Sequence, residues 1–312
     1  MNLALLAGGV GGSKLALGLY NVMDPQDLTV IANTGDDIVM HGLHVSPDPD
    51  ILIYTLAGVV NPEIGWGFRD ESFRVAEGLS RYGRAVWFNL GDRDLATHIH
   101  RTAMLADGAP LSAAIDSVRR SLGVKTRILP MSDERVVTML QTDEGRMHLQ
   151  DYFVRRRCEP RLCAIEFDGV EQARPAPGVT EALENADAIV IAPSNPLISI
   201  GPILAVPDIS ELLRRRRARV ISVSPLVNGK SLKGPSDRMM AQLGHDVSAV
   251  GVARLYRDVC ALMVIDPADA DRRAGIEALD MRVVVLPTVM RTLEDKEQLA
   301  RNIFALIENE TA

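Results

Sequence analysis

The sequence predicts an α/β fold built on a mostly parallel sheet. Short apolar runs at residues 2–7, 85–90 and 188–192 each end in a loop rich in glycine, proline or polar side chains. Segments in which apolar residues recur with helical spacing lie between these runs. Strands that alternate with helices and carry polar loops at their carboxyl ends are typical of a parallel sheet that binds a ligand at that edge.

The elements follow in order along the chain. Residues 2–7 predict the first strand, and the glycine-rich turn after it leads into a helix over residues 13–22. Residues 28–32 predict the second strand, and the run 85–90 predicts a third, followed by a helix that begins near Leu95. Further strands at 188–192, 219–223 and 281–285, with helices near 209–217 and 293–307, complete a Rossmann-like three-layer fold.

A different pattern occupies residues 125–178. The runs 136–141 and 146–150 flank the sequence Thr-Asp-Glu-Gly, which is a hairpin signal, and residues 163–167 predict another strand. We therefore predict a smaller, partly antiparallel inserted domain. In this division the main α/β domain comprises residues 1–124 and 179–312, and the inserted domain comprises residues 125–178.

The composition excludes several classes of protein. The chain has 312 residues, 47% of them hydrophobic, which is enough for a large core. Its net charge of −7, with basic and acidic residues interspersed, argues against a nucleic-acid partner. No run approaches the roughly 18 apolar residues of a membrane span, and no leader pattern precedes the first strand. We therefore expect a cytoplasmic protein without a membrane partner. Three cysteines without a CxxC pair indicate reduced thiols rather than a zinc site.

The glycine-rich turn, Gly8-Gly9-Val10-Gly11-Gly12-Ser13-Lys14, is the first candidate for ligand binding. Glycines let the backbone approach a phosphate closely, and the amides of the following helix N-terminus supply donors. The spacing differs from the dinucleotide fingerprint GxGxxG, and Leu15 stands where a Walker A loop has Ser or Thr. Tight packing between helix and strand is the alternative explanation.

Four aspartates share a short stretch after the second predicted strand. Pro47 and Pro49 lie among them and fix the backbone, so we expect no helix there. Carboxylates so crowded repel one another unless a cation or hydrogen-bond donors compensate, which points to a magnesium site or a general base. The alternative is that they only form turns or cap helices. The four are Asp36, Asp37, Asp48 and Asp50.

Two further loops carry candidate residues. Arg93 lies between Asp92 and Asp94 at a predicted helix start, where a guanidinium can hold a phosphate or stabilise developing charge. Asp94 is alternatively a helix cap. Ser194 and Asn195 follow an apolar strand and can bind phosphate or a base edge, although turn formation also explains them.

With these residues in view, the chain closely resembles the 2-phospho-L-lactate transferase family of coenzyme F-420 biosynthesis. The resemblance implies a nucleotide-binding α/β fold, commonly dimeric, that uses Mg²⁺. It further implies transfer of a phosphorylated three-carbon acid from a guanosine diphosphate conjugate to the terminal ribityl hydroxyl of 7,8-didemethyl-8-hydroxy-5-deazariboflavin, with release of GMP. The matching motifs span nearly the whole chain: the glycine-rich start, Asn33-Thr34 with Asp37, Ser46-Pro47-Asp48 with Asp50, Gly91-Asp92-Arg93, Ala96-Thr97-His98, residues 128–133, residues 193–196 and Ser224-Pro225.

The resemblance suggests a role for each candidate residue. Phosphoryl transfer depends on in-line positioning and on neutralising charge more than on covalent help. Our hypothesis is that Asp50 orients or deprotonates the ribityl hydroxyl, with Arg93 as a second catalytic group. Asp37, with Asp36 or Asp48, is the candidate magnesium site. The nucleotide-binding candidates are Gly9, Gly11, Gly12, Ser13, Lys14, Ser194 and Asn195, and the deazariboflavin-binding candidates are Asp50, Asn89, Arg93, Thr97 and His98.

Two other functions remain open from the residues alone. A non-catalytic regulator that binds a nucleotide sugar would share the glycine-rich frame, but it has no need for a carboxylate loop opposite a phosphate site. A nicotinamide-dependent oxidoreductase is disfavoured because the glycine-rich turn lacks the GxGxxG spacing of dinucleotide-binding proteins. Some relatives carry Lys where this chain has Asn89, so the donor is left undecided among phospholactate, phosphoenolpyruvate and phosphoglycerate conjugates.

Overall fold

The computed structural model describes residues 1–311. Its strands are β1 (Leu3–Ala7), β2 (Leu28–Ala32), β3 (Ile38–Met40), β4 (Leu43–Val45), β5 (Arg127–Pro130), β6 (Val137–Thr142), β7 (Gly145–His148), β8 (Leu162–Asp168), β9 (Ala188–Ile191), β10 (Val220–Val223), β11 (Leu226–Val227), β12 (Lys230–Ser231), β13 (Leu262–Ile265) and β14 (Arg282–Val285). Its α-helices are α1 (Gly9–Val22), α2 (Pro47–Leu56), α3 (Arg74–Arg81), α4 (Asp92–Ala106), α5 (Leu111–Ser121), α6 (Val179–Asn185), α7 (Gly201–Ala205), α8 (Pro207–Arg215), α9 (Ser236–Gln242), α10 (Ala249–Tyr256), α11 (Arg273–Glu277) and α12 (Leu293–Thr311). A π-helix at Asp151–Arg155 and 3-10 turns at Arg217–Arg219 and Pro267–Arg272 complete the elements.

Within residues 1–311 the central sheet has seven strands in the order β14-β13-β10-β9-β1-β2-β5. All neighbouring pairs are parallel. The chain moves outward from β1 through β2 to β5, and then returns to the other side of β1 at β9. This reversal of strand order opens a crevice at the carboxyl ends of β1 and β9, which is where open α/β sheets bind ligands. The predicted parallel α/β fold is confirmed.

The sheet is buried on both faces, which explains its nearly uninterrupted apolar strands. Leu5 points toward Leu15 of α1 and Ile303 of α12 in one core cluster. Leu6, the next residue, points to the opposite face, where it joins Ile209 of α8 in a second cluster. Successive side chains of a strand alternate between faces, so one strand contributes to both helical layers.

A three-stranded antiparallel sheet, in the order β7-β6-β8, interrupts the α/β pattern as the hairpin signal predicts. It packs over the loop after β2, because the amide of Thr138 donates to the carbonyl of Gly35 at 2.7 Å. Strand β5 lies within the predicted inserted segment 125–178 but pairs with β2 in the central sheet. The antiparallel part therefore begins after Pro130, while the division into two domains remains a prediction.

The prediction of a strand at residues 85–90 is wrong. These residues form an irregular segment whose Trp87 and Phe88 pack, ring edge to ring face at 5.8 Å, in a small cluster with Met40 and Leu95. An apolar run shows that a segment is buried, but not whether a strand partner is available. Within the described chain, no helix is both long and apolar enough to span a bilayer.

Candidate active site

A cavity of about 470 Å³ opens at the crevice between the carboxyl ends of β1 and β9. Its lining comes from the loops after these strands, the start of α2, the π-helix and the segments 64–67 and 232–236. The size suits a nucleotide-scale ligand. The lysines of this lining, among residues 1–311, are Lys14 and Lys233.

The glycine-rich turn forms one wall of the cavity and begins α1. Gly9 has a φ of +62°, a conformation that side chains disfavour. A Cβ at Gly11 would collide with the carbonyl oxygen of Pro193, and a Cβ at Gly12 would lie 2.8 Å from Ser194 Oγ. These glycines therefore let α1 pack against the loop after β9. Gly9 and Gly11 also line the cavity, whereas Gly12 does not.

The prolines after β4 begin a helix rather than excluding one, which corrects the sequence-based expectation. Helix α2 starts at Pro47, so both prolines occupy its first turn, with Asp48 and Asp50 beside them. Amides of the first turn have no intrahelical acceptor, so proline costs nothing there and its fixed φ suits the helix. The consequence is that Asp48 and Asp50 are held on a rigid helical turn.

Asp36 and Asp48 form a buried carboxylate pair. Asn33 bridges them, because its side-chain amide donates to Asp36 Oδ1 and to Asp48 Oδ2, each at 2.8 Å. The Gly9 amide donates to Asp48 Oδ1 at 2.8 Å. Burial raises the pKa of Asp48 to about 6 and raises the pKa of Asp36 well above its usual value, with mutual repulsion adding to the shift of Asp36.

Asp37 lies apart from this pair and outside the cavity lining. Its Oδ2 accepts hydrogen bonds from Ser46 Oγ at 2.6 Å and from His44 Nε2 at 2.9 Å. Its other oxygen is buried without a partner among residues 1–311. Over the same residues, no three His, Cys, Asp or Glu side chains are grouped to hold a metal by themselves. The three candidate magnesium ligands are therefore not together: Asp36 and Asp48 line the cavity, and Asp37 does not.

Asp50 is locked by a buried arginine. Arg101 Nη1 donates to Asp50 Oδ2 at 3.1 Å, and Arg101 Nη2 donates to Oδ1, so the pair is bidentate. Arg101 is fully buried at 0% exposure, and Asp50 lines the cavity. Burial raises the pKa of the Asp50 carboxyl, and the Arg101 charge opposes that shift. Planar bidentate pairing fixes the orientation of a carboxylate more strictly than a single contact does.

A chain of polar side chains extends from Arg101 through His98 and Asp94 to Tyr54. Arg101 Nη1 lies 3.3 Å from His98 Nδ1, and since a guanidinium only donates, this nitrogen accepts and the proton resides on Nε2. His98 Nε2 lies 3.3 Å from Asp94 Oδ1, at an angle short of a regular hydrogen bond. Tyr54 donates its hydroxyl to the same oxygen at 2.7 Å. Both nitrogens of His98 thus face protein groups.

Arg93 and Thr97, two predicted contacts for the acceptor, do not line the cavity. The Arg93 guanidinium donates instead to the carbonyl of Arg69 at 3.1 Å. The cap of α4 is Glu71, which accepts from the amides of Arg93 and Asp94 at 2.9 and 3.2 Å. Asn89 does line the cavity. The Arg93 side chain therefore bonds the local backbone outside the cavity lining.

The remaining nucleotide candidates have mixed placements. Ser194 Oγ donates to the carbonyl of Gly8 at 2.7 Å, and Asn195 Oδ1 accepts from the Leu197 amide at 2.9 Å, so both shape their turns while lining the cavity. Ser13 Oγ donates to the Val10 carbonyl and lies outside the lining. Lys14 Nζ donates to the Met290 carbonyl at 2.8 Å, at the cavity wall. Burial lowers the pKa of Lys14.

Comparison with known proteins identifies the family. The family model described as 2-phospho-L-lactate transferase CofD matches residues 3–285. The chain belongs to the 2-phospho-L-lactate transferase family. It is 43% identical to a phosphoenolpyruvate transferase of Streptomyces griseus, covering 99% of both chains. It is also 40% identical to a 2-phospho-L-lactate transferase of Methanothermobacter thermautotrophicus, covering 96% of both chains.

Solved structures support the fold of this transferase-family chain. A crystal structure of a UPF0052-family protein from Bacillus halodurans superposes with a TM-score of 0.66, covering 97% of this chain and 98% of that one. Its sequence identity is 16%, so the likeness concerns the fold alone.

Several residues in and behind the cavity wall of this family member do not stand out in the sequence. Arg101 and Tyr54 belong to none of the candidate motifs, and Asp94 is predicted there only as a cap. Asp94, His98 and Arg101 follow one another at i, i+4 and i+7 on α4, so helical spacing would have indicated one shared face. The aromatic lining, Trp66, Phe88 and Phe153, lies in irregular or π-helical segments without a periodic signal.

Proposed function

We propose that the protein transfers a phosphorylated three-carbon acid from its guanosine diphosphate conjugate to the ribityl hydroxyl of the deazariboflavin precursor of coenzyme F-420, releasing GMP. The observation that carries this proposal is the meeting, in one cavity, of a helix N-terminus, a carboxylate pair and Asp50. Family membership supports the same reaction class.

The start of α1 suits the diphosphate. The N-cap residue of this helix is Gly8, which has no side chain to bond the first-turn amides. The helix dipole and the amides that remain available therefore favour an anion. Lys14 and Lys233 add positive charge at the wall of the same cavity. The Asp48 carboxylate also faces this turn, through its bond from the Gly9 amide. A phosphate entering beside it therefore needs a proton or a cation between the two negative charges.

Asp36 and Asp48 fit a magnesium ion. Mg²⁺ is commonly held by one or two carboxylates, with waters and substrate phosphates filling its other positions, so a buried pair beside the phosphate wall is a suitable ligand set. When bound, the ion supplies charge neutralisation on the phosphate oxygens. In this proposal Asp37 supports the loop through Ser46 and His44.

The aromatic part of the lining suits the acceptor. Trp66 and Phe153 expose 44% and 42% of their surfaces and, with Phe88, offer flat apolar faces to a tricyclic ring. Asn89 and the locked carboxylate of Asp50 lie in the same lining and offer polar contacts for the ribityl chain. In this arrangement Asp50 binds the ribityl chain through one of its hydroxyls and so orients the terminal hydroxyl toward the phosphorus that carries the three-carbon acid.

We also propose a homodimer. No residue of α3 is buried, and Phe73, Val75 and Tyr82 around it are exposed by 43%, 46% and 86%. Such apolar side chains suit an interface between two copies. Sedimentation velocity at micromolar concentration should give twice the mass of one chain, and a monomeric boundary would remove this proposal.

The reaction is tested by mass spectrometry. Purified protein is mixed with Mg²⁺, the deazariboflavin precursor and, in separate reactions, the phospholactate, phosphoenolpyruvate and phosphoglycerate conjugates of guanosine diphosphate, while GMP release is followed. A phosphodiester product with one donor supports the transferase and identifies that donor. Folded protein that binds GDP but yields neither product nor GMP from any donor would refute the proposal.

A further inference from the structure

We propose that Asp94 is the general base that accepts the proton of the acceptor hydroxyl, while Asp50 holds the ribityl chain by accepting a hydrogen bond from a neighbouring hydroxyl. This inference rests on the proposed transferase function. It assigns different tasks to two carboxylates that line the cavity, Asp50 and Asp94.

The first argument concerns which oxygen atoms are occupied. Both oxygens of Asp50 accept from the guanidinium fork of Arg101. Asp94 receives its contacts on Oδ1, from Tyr54 and His98, and within residues 1–311 no donor bonds its Oδ2. Asp94 lines the cavity although only 8% of the residue is exposed. A base needs a lone pair that is not already bonded to a protein donor, and within residues 1–311 Asp94 Oδ2 meets this requirement.

The second argument concerns charge. Protonation of Asp50 would break its bidentate pair with Arg101 and leave that buried guanidinium charge without its partner. Asp94 has no guanidinium partner among residues 1–311. Tyr54 stays protonated because burial, with the nearby carboxylates, raises the pKa of its hydroxyl. His98 carries its single proton on Nε2 because its Nδ1 accepts from Arg101.

The third argument concerns position. His98 lies 3.7 Å from Asp50 Oδ2 and 3.3 Å from Asp94 Oδ1, so the two carboxylates flank one imidazole on the same cavity wall. Asp94, His98 and Arg101 all project from α4, which gives the arrangement a rigid support. A ribityl chain that binds Asp50 through one hydroxyl can therefore bring its terminal hydroxyl to Asp94.

The chemical step balances as follows. The hydroxyl oxygen forms a bond to the phosphorus that carries the three-carbon acid. The bridging oxygen between the two phosphorus atoms departs with the bonding electrons as part of GMP. The hydroxyl proton moves to Asp94 Oδ2 and is later released to water.

The experiment compares Asp94→Asn with the matched variant Asp92→Asn, using the full chain with Mg²⁺ and the donor that the wild-type protein accepts. Asp92 lies two residues away, faces solvent, and caps α3 through Ser72 and the amides of Arg74 and Val75. In Asp94→Asn the introduced amide keeps an oxygen for the bond from Tyr54 while the basic atom is lost. We expect kcat to fall at least about 100-fold in Asp94→Asn and by less than about threefold in Asp92→Asn.

Further measurements separate a base from a structural residue. Calorimetric affinity of Asp94→Asn for the acceptor should stay within about threefold of wild type, whereas Asp50→Asn should weaken it by about tenfold or more. Formate should restore kcat of Asp94→Ala by at least about tenfold, because it supplies a small carboxylate in the vacated space.

The outcomes distinguish this inference from the proposed function. An active wild-type protein whose Asp94→Asn variant keeps its kcat overturns the inference and leaves the transferase intact. Loss of acceptor affinity in Asp94→Asn, or absence of formate rescue in folded Asp94→Ala, overturns it as well. An inactive wild-type protein overturns the proposed function and this inference together.

Discussion

Acidification should stabilise the ligand-free protein through Asp48. Burial raises the pKa of this carboxyl from 3.8 to about 6. A carboxyl with a raised pKa binds more protons in the folded than in the unfolded state between these two values, so the free energy of unfolding falls as pH rises through this window. With about 1.4 kcal/mol for each pKa unit, the ionised carboxyl costs about 3 kcal/mol at pH 7.5 and about half of that at pH 5.

The gain on moving from pH 7.5 to pH 5 is therefore about 1–2 kcal/mol from Asp48, and Asp36 shifts in the same direction. Urea unfolding of the wild type and of Asp48→Asn is measured at both pH values without nucleotide or metal. The difference between the two proteins isolates the pH-dependent contribution of Asp48 to the free energy of unfolding. Asparagine offers one acceptor oxygen to the two donors, Gly9 and Asn33, so the variant should be less stable at pH 5 yet less sensitive to pH.

Asp92 provides a control in which stability changes with pH in the opposite direction. Its bond from Ser72, together with amide bonds, lowers its pKa, so its contribution is present above the unfolded pKa and is lost as pH falls. Added Mg²⁺ should stabilise the wild type more at pH 7.5 than at pH 5, because protons compete for its ligands. Equal pH dependence of the wild type and Asp48→Asn would refute the reasoning.

Three substitutions test the walls of the site. Gly11→Ala should lower the free energy of unfolding by about 3 kcal/mol, because the new methyl group meets the Pro193 carbonyl, and urea unfolding measures the loss. Lys14→Met should weaken GDP binding roughly tenfold in calorimetry by removing a charged donor. Arg101→Gln should cost about 3–5 kcal/mol in urea unfolding, because it leaves Asp50 buried without its partner.

Each substitution has a matched control. At Gly78 of α3, a Cβ atom would have no heavy atom within 4 Å, so Gly78→Ala should not destabilise the protein. Lys230 is exposed and outside the cavity lining, so Lys230→Met should leave GDP affinity unchanged. Arg119 pairs with the partly exposed Asp116, so Arg119→Gln should cost less than Arg101→Gln. Equal effects within any pair would contradict the corresponding argument.

The sequence alone predicts the parallel α/β frame and the place of its ligand crevice. This prediction rests on the apolar runs that are followed by Gly8 and by Pro193. A strand buried on both faces and the polar loop at its end can each be recognised from a few consecutive residues. The hairpin between β6 and β7 is predicted for the same reason. Family motifs add the reaction class, since they record an ordered set of residues along the chain.

Tertiary structure decides which of these residues face the cavity. Asp36 and Asp37 are neighbours in sequence, yet one joins Asp48 under Asn33 while the other turns to Ser46. Residues 85–90 lack a strand partner in the central sheet. Arg101 reaches Asp50 across 51 positions of sequence. Local patterns determine what a segment can form, but the direction of a side chain depends on partners distant in sequence, whose position only the folded chain establishes.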